Sequence, residues 1–274
     1  MRILLTNDDG IHAPGIVALF DAIAGPIGEF SGPLRVGSSN ATDDVFVVAP
    51  LTVQSATGHG ITYKHPLMAT PTRVNERMRG IAVDGRPADC VKLAVANLWP
   101  EKFGKNSRPD LLISGMNAGA NCGINVIYSG TVAAAIEAAF LGVPSIAVSL
   151  MLGKGQPRFD VAAHHARAVL ESLLRRGLPD KHECLSINLP VTESDGPLPE
   201  VRFCPMNTHG LVDKYERRVS PAGDVYYWPA GHGLDFHATQ EGSDVELLKA
   251  GFITITPLHY DLTMHPAIPR WSKR

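Results

Sequence analysis

The sequence predicts an α/β fold in which a largely parallel β-sheet is flanked by helices, followed by a smaller β-rich extension. Short, continuously apolar runs alternate with longer stretches that have helical periodicity. Such runs, without polar alternation, are typical of strands buried on both sides in a parallel sheet. After about residue 190 the pattern changes to β-prone pieces separated by Gly, Pro and aromatic residues.

The first hundred residues contain two predicted strands and two predicted helices. Residues 2–6 (RILLT) and 45–50 (VFVVAP) are apolar runs of strand length. A helical pattern covers residues 16–23, and residues 87–99 (PADCVKLAVANLW) start with proline, which is favoured at the first position of a helix. Residues 31–44 (SGPLRVGSSNATDD) have turn composition and are predicted to form an exposed loop.

The alternation continues to residue 190. Residues 110–114 (DLLIS), 145–150 (SIAVSL) and 184–190 (CLSINLP) are predicted strands. Between them, residues 130–142 and 159–177 are predicted helices, and the second ends in a glycine, as helices often do.

The apolar stretch at residues 132–152 is long enough to cross a bilayer. Glu137, Gly142 and Pro144 interrupt it. We therefore expect a buried helix followed by a buried strand in this stretch, and no membrane partner.

We divide the chain into an α/β catalytic core at residues 1–190, a hairpin-rich extension at 191–250, and a return strand with the C-terminal tail at 251–274. The extension contains aromatic runs such as DVYYWP at residues 224–229. These side chains either pack within the extension or contact another subunit. The second alternative predicts a homodimer or homotetramer built through this region.

Composition excludes several classes of partner and compartment. The formal net charge is −2, so no strong field attracts duplex nucleic acid or an anionic membrane. The four cysteines form no CxxC pair, which indicates free thiols in a reduced, cytoplasmic setting. The first apolar run is too short for a signal peptide.

Four loops follow predicted strands or precede a predicted helix at the edge where ligands bind. In parallel α/β sheets, that edge lies beyond the carboxyl ends of the strands. The loops are NDDG at residues 7–10, APLTVQSATGHG at 49–60, SGMNAGANCG at 114–123 and YSGTV at 128–132.

Asp8 and Asp9 place two carboxylates side by side at the end of the first strand. Two such charges are costly unless a cation lies between or beside them, and a divalent metal is the simplest one. The alternative is that one aspartate caps the next helix and the other faces water. Asn117 adds an amide oxygen, and an all-oxygen ligand set favours Mg²⁺ or Mn²⁺.

The QSATGHG segment offers two hydroxyls, Ser55 and Thr57, and a histidine, His59, between glycines that permit close approach of the backbone. Taken alone it could be an ordinary loop. His59 is the histidine that we single out as a candidate catalytic group, with support of the loop as the alternative role.

The YSGTV segment places Ser129, Gly130 and Thr131 where a helix begins. Free N–H groups and the helix dipole make such a place a good phosphate site, although Ser129 or Thr131 could simply cap the helix. We assign Asn117, Asn121 and these three residues to the binding of substrate and phosphate. The glycine-rich loop before them is neither GxGxxG nor a P-loop.

These segments together resemble the SurE survival-protein family. The resemblance rests on five stretches in order between residue 2 and about residue 263: RILLTNDDGIHAPGI, VVAPLTVQSATGHGIT, GRPADCVKLA, DLLISGMNAGANCGINVIYSGTVAAAIEAAFLGVPSIAVS and ITPLHYDLT. It implies a Rossmann-like core, a smaller β-rich extension, at least a dimer, and metal-dependent 5′-nucleotidase activity on nucleoside monophosphates. It also implies that one divalent ion per subunit is held by Asp8, Asp9, Ser55 and Asn117.

The chain departs from the family pattern in four places. Leu51 and Thr52 stand where the family often has Asp-Arg, and Arg86 stands where threonine is usual. The loop at residues 31–44 is longer than typical, and the tail after residue 263 is short. The first two departures bear on substrate preference, and the short tail bears on subunit exchange.

The sequence thus predicts metal-dependent hydrolysis of a phosphomonoester, with Asp8, Asp9 and His59 as catalytic candidates and either His59 or Asp9 handling a proton. Alternatives are a broader phosphomonoesterase or polyphosphate hydrolase of the same fold, and a dehalogenase-type phosphatase that forms an aspartyl phosphate. A receiver-like phosphate-binding switch without turnover is the alternative from a non-enzymatic class.

Overall fold

The computed structural model describes residues 1–25, 44–180, 182–230 and 233–272, and within them a nine-stranded mixed sheet and a separate two-stranded antiparallel sheet. The predicted α/β fold is confirmed. The predicted loop at 31–44 lies outside the described residues except for residue 44, where the second strand begins. The elements in chain order are β1 (Arg2–Thr6), α1 (Pro14–Ala24), β2 (Asp44–Pro50), β3 (Ala69–Arg73), β4 (Arg79–Val83), α2 (Pro87–Leu93), a π-helical turn (Ala94–Leu98), α3 (Trp99–Phe103), β5 (Leu111–Ala118), a 3₁₀ turn (Gly123–Ile127), α4 (Gly130–Phe140), β6 (Ser145–Leu150), α5 (Phe159–Leu174), β7 (Glu183–Leu189), β8 (Val201–Phe203), β9 (Tyr215–Val219), β10 (Val225–Pro229), α6 (Asp244–Lys249), β11 (Ile253–His259), a second 3₁₀ turn (His265–Ala267) and α7 (Ile268–Ser272).

The large sheet has the strand order β3-β4-β2-β1-β5-β6-β7-β11-β8. The strands from β4 to β7 in this order are parallel to one another. β3 runs antiparallel to β4, and β11 runs antiparallel to β7. Because β1 lies between β2 and β5, the carboxyl ends of these three strands meet at one edge, which is where the candidate loops were predicted to meet.

The sheet separates two apolar layers. Side chains along β1 alternate between them: Ile3 and Leu5 belong to the layer that contains α1 and α5, and Leu4 belongs to the layer that contains α2 and α4. All three side chains are fully buried. Burial on both faces explains why the strand is continuously apolar and why its polar residues come only at its end.

A bulge near the end of β5 shapes the edge of the sheet. The pairing of β5 with β6 shifts register between Gly115 and Asn117. Gly115 has φ +139°, and a Cβ there would lie 2.2 Å from the carbonyl oxygen of Val148, so the position requires glycine. Bulges re-aim the residues that follow them, and here the next side chain but one, Asn117, lines a cleft at the sheet edge.

The region after residue 190 is divided between the large sheet and a hairpin. β8 and β11 extend the large sheet, with β11 inserted between β7 and β8. β9 and β10 form the separate antiparallel sheet. The β-rich character of this region is therefore confirmed, and the domain limits at 190 and 250 stay predictions.

The apolar stretch at 132–152 is divided between α4 and β6, as predicted. Among the described residues, no helix combines the length and the apolar character needed to cross a membrane. The four cysteines are free and buried.

Candidate active site

A cleft of about 400 Å³ lies at the carboxyl edge of β1 and β5. It brings together residues from all four predicted loops. The polar residues that line it are Asp8, Asp9, Ser55, Asn117, Asn121, Asn125, Tyr128 and Ser129. The loops selected by the rule that ligands bind beyond the strand ends thus meet at one cleft.

Asp8 is the more buried of the two carboxylates, with 6% of its surface exposed. Burial raises its pKa to about 6, and the charge of Asp9 adds to the rise. The hydroxyl and the backbone N–H of Thr131 act in the opposite direction, because both interact with the carboxylate. Within the described part of the chain, no cationic side chain is among the groups that shift this pKa, so the two carboxylates leave a negative charge for a ligand to balance.

Asp9 links the end of β1 to the end of β5. Its Oδ2 accepts a hydrogen bond from the backbone N–H of Ala118 at 2.8 Å. The neighbouring Asn117 donates through Nδ2 to the carbonyl oxygen of Gly119 at 2.7 Å, which leaves its amide oxygen as the atom for a ligand. The contact fixes Asp9 and Asn117 relative to one another across two strands.

The loop after β2 brings Ser55, and not Thr57, to the cleft. The Thr57 hydroxyl donates back to the carbonyl oxygen of Gln54 at 3.0 Å. The N–H of Gln54 in turn donates to the carbonyl oxygen of Asp8 at 2.8 Å. The local turn therefore decides which of the two hydroxyls lines the cleft, a question that the residues alone left open.

The YSGTV segment forms the start of α4, with Ser129 as its N-cap. The Ser129 hydroxyl accepts from the N–H of Val132 at 3.0 Å. Gly130 and Thr131 are buried behind the cleft, and the Thr131 hydroxyl donates to Asp8. The N-terminus of α4 thus holds the carboxylate of Asp8, and the binding of phosphate by these residues stays a prediction.

Asn121 braces the glycine-rich loop against the sheet. Its Nδ2 donates to the Ser149 hydroxyl at 2.9 Å, and its backbone N–H donates to Oδ1 of Asn188 at 2.7 Å. The same loop is fixed further on by Asp244, which accepts from the N–H of Gly123 at 2.8 Å. Sequence reasoning missed Asn188 and Asp244, because each lies far along the chain from the loop that it holds and carries no motif of its own.

His59 does not line this cleft. Its Nε2 lies 2.7 Å from Oε2 of Glu137, and both residues line a second cleft of about 470 Å³ with His259, Tyr260 and other residues of α4 and its surroundings. These contacts favour the loop-supporting alternative for His59. Its catalytic role stays a prediction.

The donor set of the first cleft fits a hard divalent cation. Asp8 and Asp9 supply carboxylates, Asn117 an amide oxygen and Ser55 a hydroxyl, and all four line one cleft. Oxygen-only sets suit Mg²⁺ or Mn²⁺ better than zinc. In the part of the chain that the structure describes, no group of three or more His, Cys, Asp or Glu residues is arranged for metal binding, so a metal here depends on the amide and hydroxyl oxygens as well.

Leu51, Thr52 and Arg86, at which the chain departs from the family pattern, are not among the described residues that line the cleft. Leu51 is exposed on the loop that carries Ser55. Arg86 donates through Nη1 to the carbonyl oxygen of Ile61 at 3.4 Å, at the far end of the same loop.

Comparison with known proteins gives matches along nearly the whole chain. The family model described as "Survival protein SurE" matches residues 3–212. The curated protein named 5′-nucleotidase SurE from Heliobacterium modesticaldum is 43% identical, and the alignment covers 99% of this chain and 91% of that protein. The protein of the same name from Syntrophobacter fumaroxidans is 40% identical, with 100% of this chain and 99% of that protein covered.

Solved structures agree with the sequence matches. The SurE protein from Aquifex aeolicus has a TM-score of 0.76 and 30% identity, and the superposition covers 98% of each chain. The similarity therefore extends to the fold and includes the strands whose ends form the acidic cleft. With a family match over most of its length and relatives of about 40% identity, the chain belongs to the SurE survival-protein family.

Proposed function

We propose that this chain, a 5′-nucleotidase, hydrolyses nucleoside 5′-monophosphates to nucleoside and phosphate with one divalent cation, Mg²⁺ or Mn²⁺, per subunit. The observation that carries the proposal is the pair Asp8 and Asp9 in one cleft with Ser55 and Asn117. The cleft, at about 400 Å³, is within the range of small-molecule sites. The names of the curated relatives support the nucleotidase activity.

Asp8, Asp9, Ser55 and Asn117 would hold the cation. When bound, it supplies charge neutralisation for the phosphoryl group and lowers the pKa of water at the site. Asp9 is held in place by the Ala118 N–H, and Asp8 by Thr131. Fixed ligands matter because positioning and charge stabilisation carry most of the rate in phosphoryl transfer.

Phosphate recognition falls to groups that line the cleft. The Ser129 hydroxyl accepts from the Val132 N–H and keeps its own proton to donate to a phosphate oxygen. Asn121 is braced by Ser149, so the main chain around it is held in a fixed position at the cleft. Behind the cleft, the Thr131 hydroxyl holds Asp8, and Gly130 leaves room for the Asp8 side chain.

The proposal predicts that chelation abolishes phosphate release and that Mn²⁺ or Mg²⁺ restores it. The measurement is phosphate release by the purified chain after treatment with EDTA and after each metal is added back. The physical reason is that Asp8 and Asp9 repel an anionic substrate unless a cation neutralises them. Full turnover in chelator would contradict the metal dependence.

A substrate panel separates the alternatives in the same assay. The expected result is faster turnover of nucleoside 5′-monophosphates than of 3′-monophosphates, p-nitrophenyl phosphate or polyphosphate. Equal rates on all four would favour the broader phosphomonoesterase. A trapped aspartyl phosphate would favour the dehalogenase-type mechanism, and absence of turnover with retained phosphate binding would favour the switch.

We also propose that the chain is an oligomer built through the region after residue 190. Every residue of β9 and β10 is exposed, including Tyr215, Tyr227 and Trp228. A two-stranded hairpin that buries neither face is marginal alone, so a second subunit is its natural support. Light scattering is expected to give a multiple of the 29.4 kDa chain mass, and a mass of one chain at micromolar concentration would refute the proposal.

A further inference from the structure

Glu137 is a buried carboxylate outside the acidic cleft, and the side chains of two other residues contact it. It lies on α4 with 6% of its side chain exposed. Its Oε2 is 2.7 Å from Nε2 of His59, and its Oε1 is 3.0 Å from Nζ of Lys92 on α2. Burial raises the pKa of Glu137, but the hydrogen bonds from His59 and Lys92 outweigh it, so the pKa lies below its ordinary value and the side chain is ionised at neutral pH.

His59 belongs to a loop that also carries Ser55. We define the Ser55 loop as residues 51–62, none of which is buried. Apolar packing therefore does little to fix it, and its hydrogen bonds to the rest of the molecule decide where it lies. At its two ends, Gln54 is bonded to the carbonyl oxygen of Asp8 and Thr62 to the carboxylate of Asp89.

Between these ends, and apart from the bond from Arg86 to the carbonyl oxygen of Ile61, two hydrogen bonds to other described residues hold the Ser55 loop. The N–H of Gly58 donates to the carbonyl oxygen of Tyr128 at 3.0 Å, and His59 contacts Glu137. The contact between His59 and Glu137 is charge-assisted, and such hydrogen bonds are stronger than those between neutral groups. It lies four residues from Ser55.

The same helix holds the other side of the cleft. Thr131, in the first turn of α4, donates to Asp8. Glu137 lies six residues further on, about 9 Å along the helix axis at 1.5 Å per residue. One rigid element thus contacts both Asp8 and the loop of Ser55, and it contributes to their separation together with the direct bond from Gln54 to Asp8.

We propose that Glu137 is a positioning residue that, through His59, holds the Ser55 loop at the correct distance from Asp8 and Asp9, and that Lys92 fixes the Glu137 carboxylate for this task. The inference rests on the proposed role of Ser55 as a metal ligand. A buried carboxylate is a poor way merely to pack α4 against α2, because apolar residues of similar volume often stabilise such a site as well or better.

The experiment compares His59→Ala, Glu137→Gln and the double variant, and measures Mn²⁺ affinity by calorimetry and amide exchange of residues 51–58 in the metal-free protein. Each single variant is expected to weaken Mn²⁺ binding about tenfold. This is the lower end of the range of losses seen when a residue that supports a metal ligand is removed. Amide exchange at residues 51–58 is expected to accelerate in both. The double variant is expected to be no worse than His59→Ala, because both changes break one connection.

Additive losses in the double variant would overturn the proposal, since Glu137 and His59 would then act separately. Unchanged Mn²⁺ affinity and exchange, with a lower kcat and an altered pH profile in His59→Ala alone, would also overturn it and make His59 a proton-transfer group. His59 is 39% exposed, so its variant tests the proposal even if Glu137→Gln folds poorly. His59→Gln keeps a hydrogen-bond donor and is expected to recover part of the affinity.

Two further variants separate the proposal from general destabilisation and from failure of the metal site. Glu171→Gln breaks the pair with Arg167 on α5, where N and O are 2.7 Å apart, and is expected to leave Mn²⁺ affinity unchanged whatever its effect on melting. Asp9→Asn tests the metal site itself. If Asp9→Asn leaves Mn²⁺ binding intact, the proposed site is wrong. If it weakens binding and His59→Ala does not, only the positioning role is wrong.

Discussion

Replacing Asp9 with asparagine is expected to lower turnover by about a hundredfold or more while leaving the fold intact. Asp9 supplies one of the two carboxylates of the cleft, and its Oδ2 also accepts the N–H of Ala118. Asparagine keeps an acceptor for that N–H, so the link between the ends of β1 and β5 survives. The lost charge weakens cation binding, and turnover falls with it.

The same change is expected to leave the melting temperature of the metal-free protein level or higher. The charge of Asp9 contributes to the raised pKa of Asp8, which means that the two carboxylates repel one another in the folded state. Removing one of them relieves that repulsion. Thermal melts in EDTA and Mn²⁺ titrations measure the two effects independently.

Asp110→Asn is the matched control. Asp110 also accepts a backbone N–H across two strands, from Arg2 at 2.7 Å, but it lies at the opposite edge of the sheet. It is expected to leave turnover and Mn²⁺ affinity unchanged. Unchanged turnover of Asp9→Asn at saturating metal would rule out Asp9 as a ligand, and a cooperative loss of folding would make it a structural residue.

Gly130→Val is expected to reduce turnover about a hundredfold, the cost of misplacing a reacting group by roughly 1 Å. A Cβ at Gly130 would lie 2.8 Å from Cβ of Asp8, 2.9 Å from its Oδ2 and 3.1 Å from Cγ of Pro87. Asp8 must therefore shift, and its bond from Thr131 must lengthen or break. Thr131→Ser keeps the hydroxyl and is expected to change turnover only slightly.

Mn²⁺ affinity identifies which role Gly130 has. If the glycine makes room for Asp8, affinity falls together with turnover. If it makes room for phosphate, as the sequence predicted, turnover falls and Mn²⁺ affinity does not. Gly196→Ala is the control, because a Cβ at Gly196 would meet nothing within 4 Å. Normal turnover and Mn²⁺ affinity in Gly130→Val would show that neither role is correct.

Much of the fold was predictable because the parallel strands are buried on both faces. β1, β2, β5, β6 and β7 are all short apolar runs, and each was predicted within a few residues. The edge hairpin of β3 (ATPTR) and β4 (RGIAV) was not predicted. β3 has almost no apolar side chains because it lies at the edge of the sheet, so it lacks the signal that reveals a buried strand.

The sequence also did not indicate which strands β8 and β11 pair with in the large sheet. β8 pairs with β11 in the large sheet instead of lying in a separate extension, and β11, predicted only as a return strand, lies beside β7. Hydrogen bonds between strands join residues far apart in the chain, and a strand's own composition does not specify its neighbour. The insertion of β11 between β7 and β8 is a property of the whole sheet.

For the candidate site, the sequence by itself determined which polar residues meet and the edge of the sheet at which they meet. Asp8, Asp9 and Asn117 follow β1 or end β5, and parallel neighbours bring strand ends together. The tertiary structure decided which way individual side chains face. It directs the Thr131 hydroxyl to Asp8 and His59 to Glu137, a residue 78 positions away along the chain. The direction of a loop side chain depends on the partner that folding brings to it, and sequence spacing does not encode that partner.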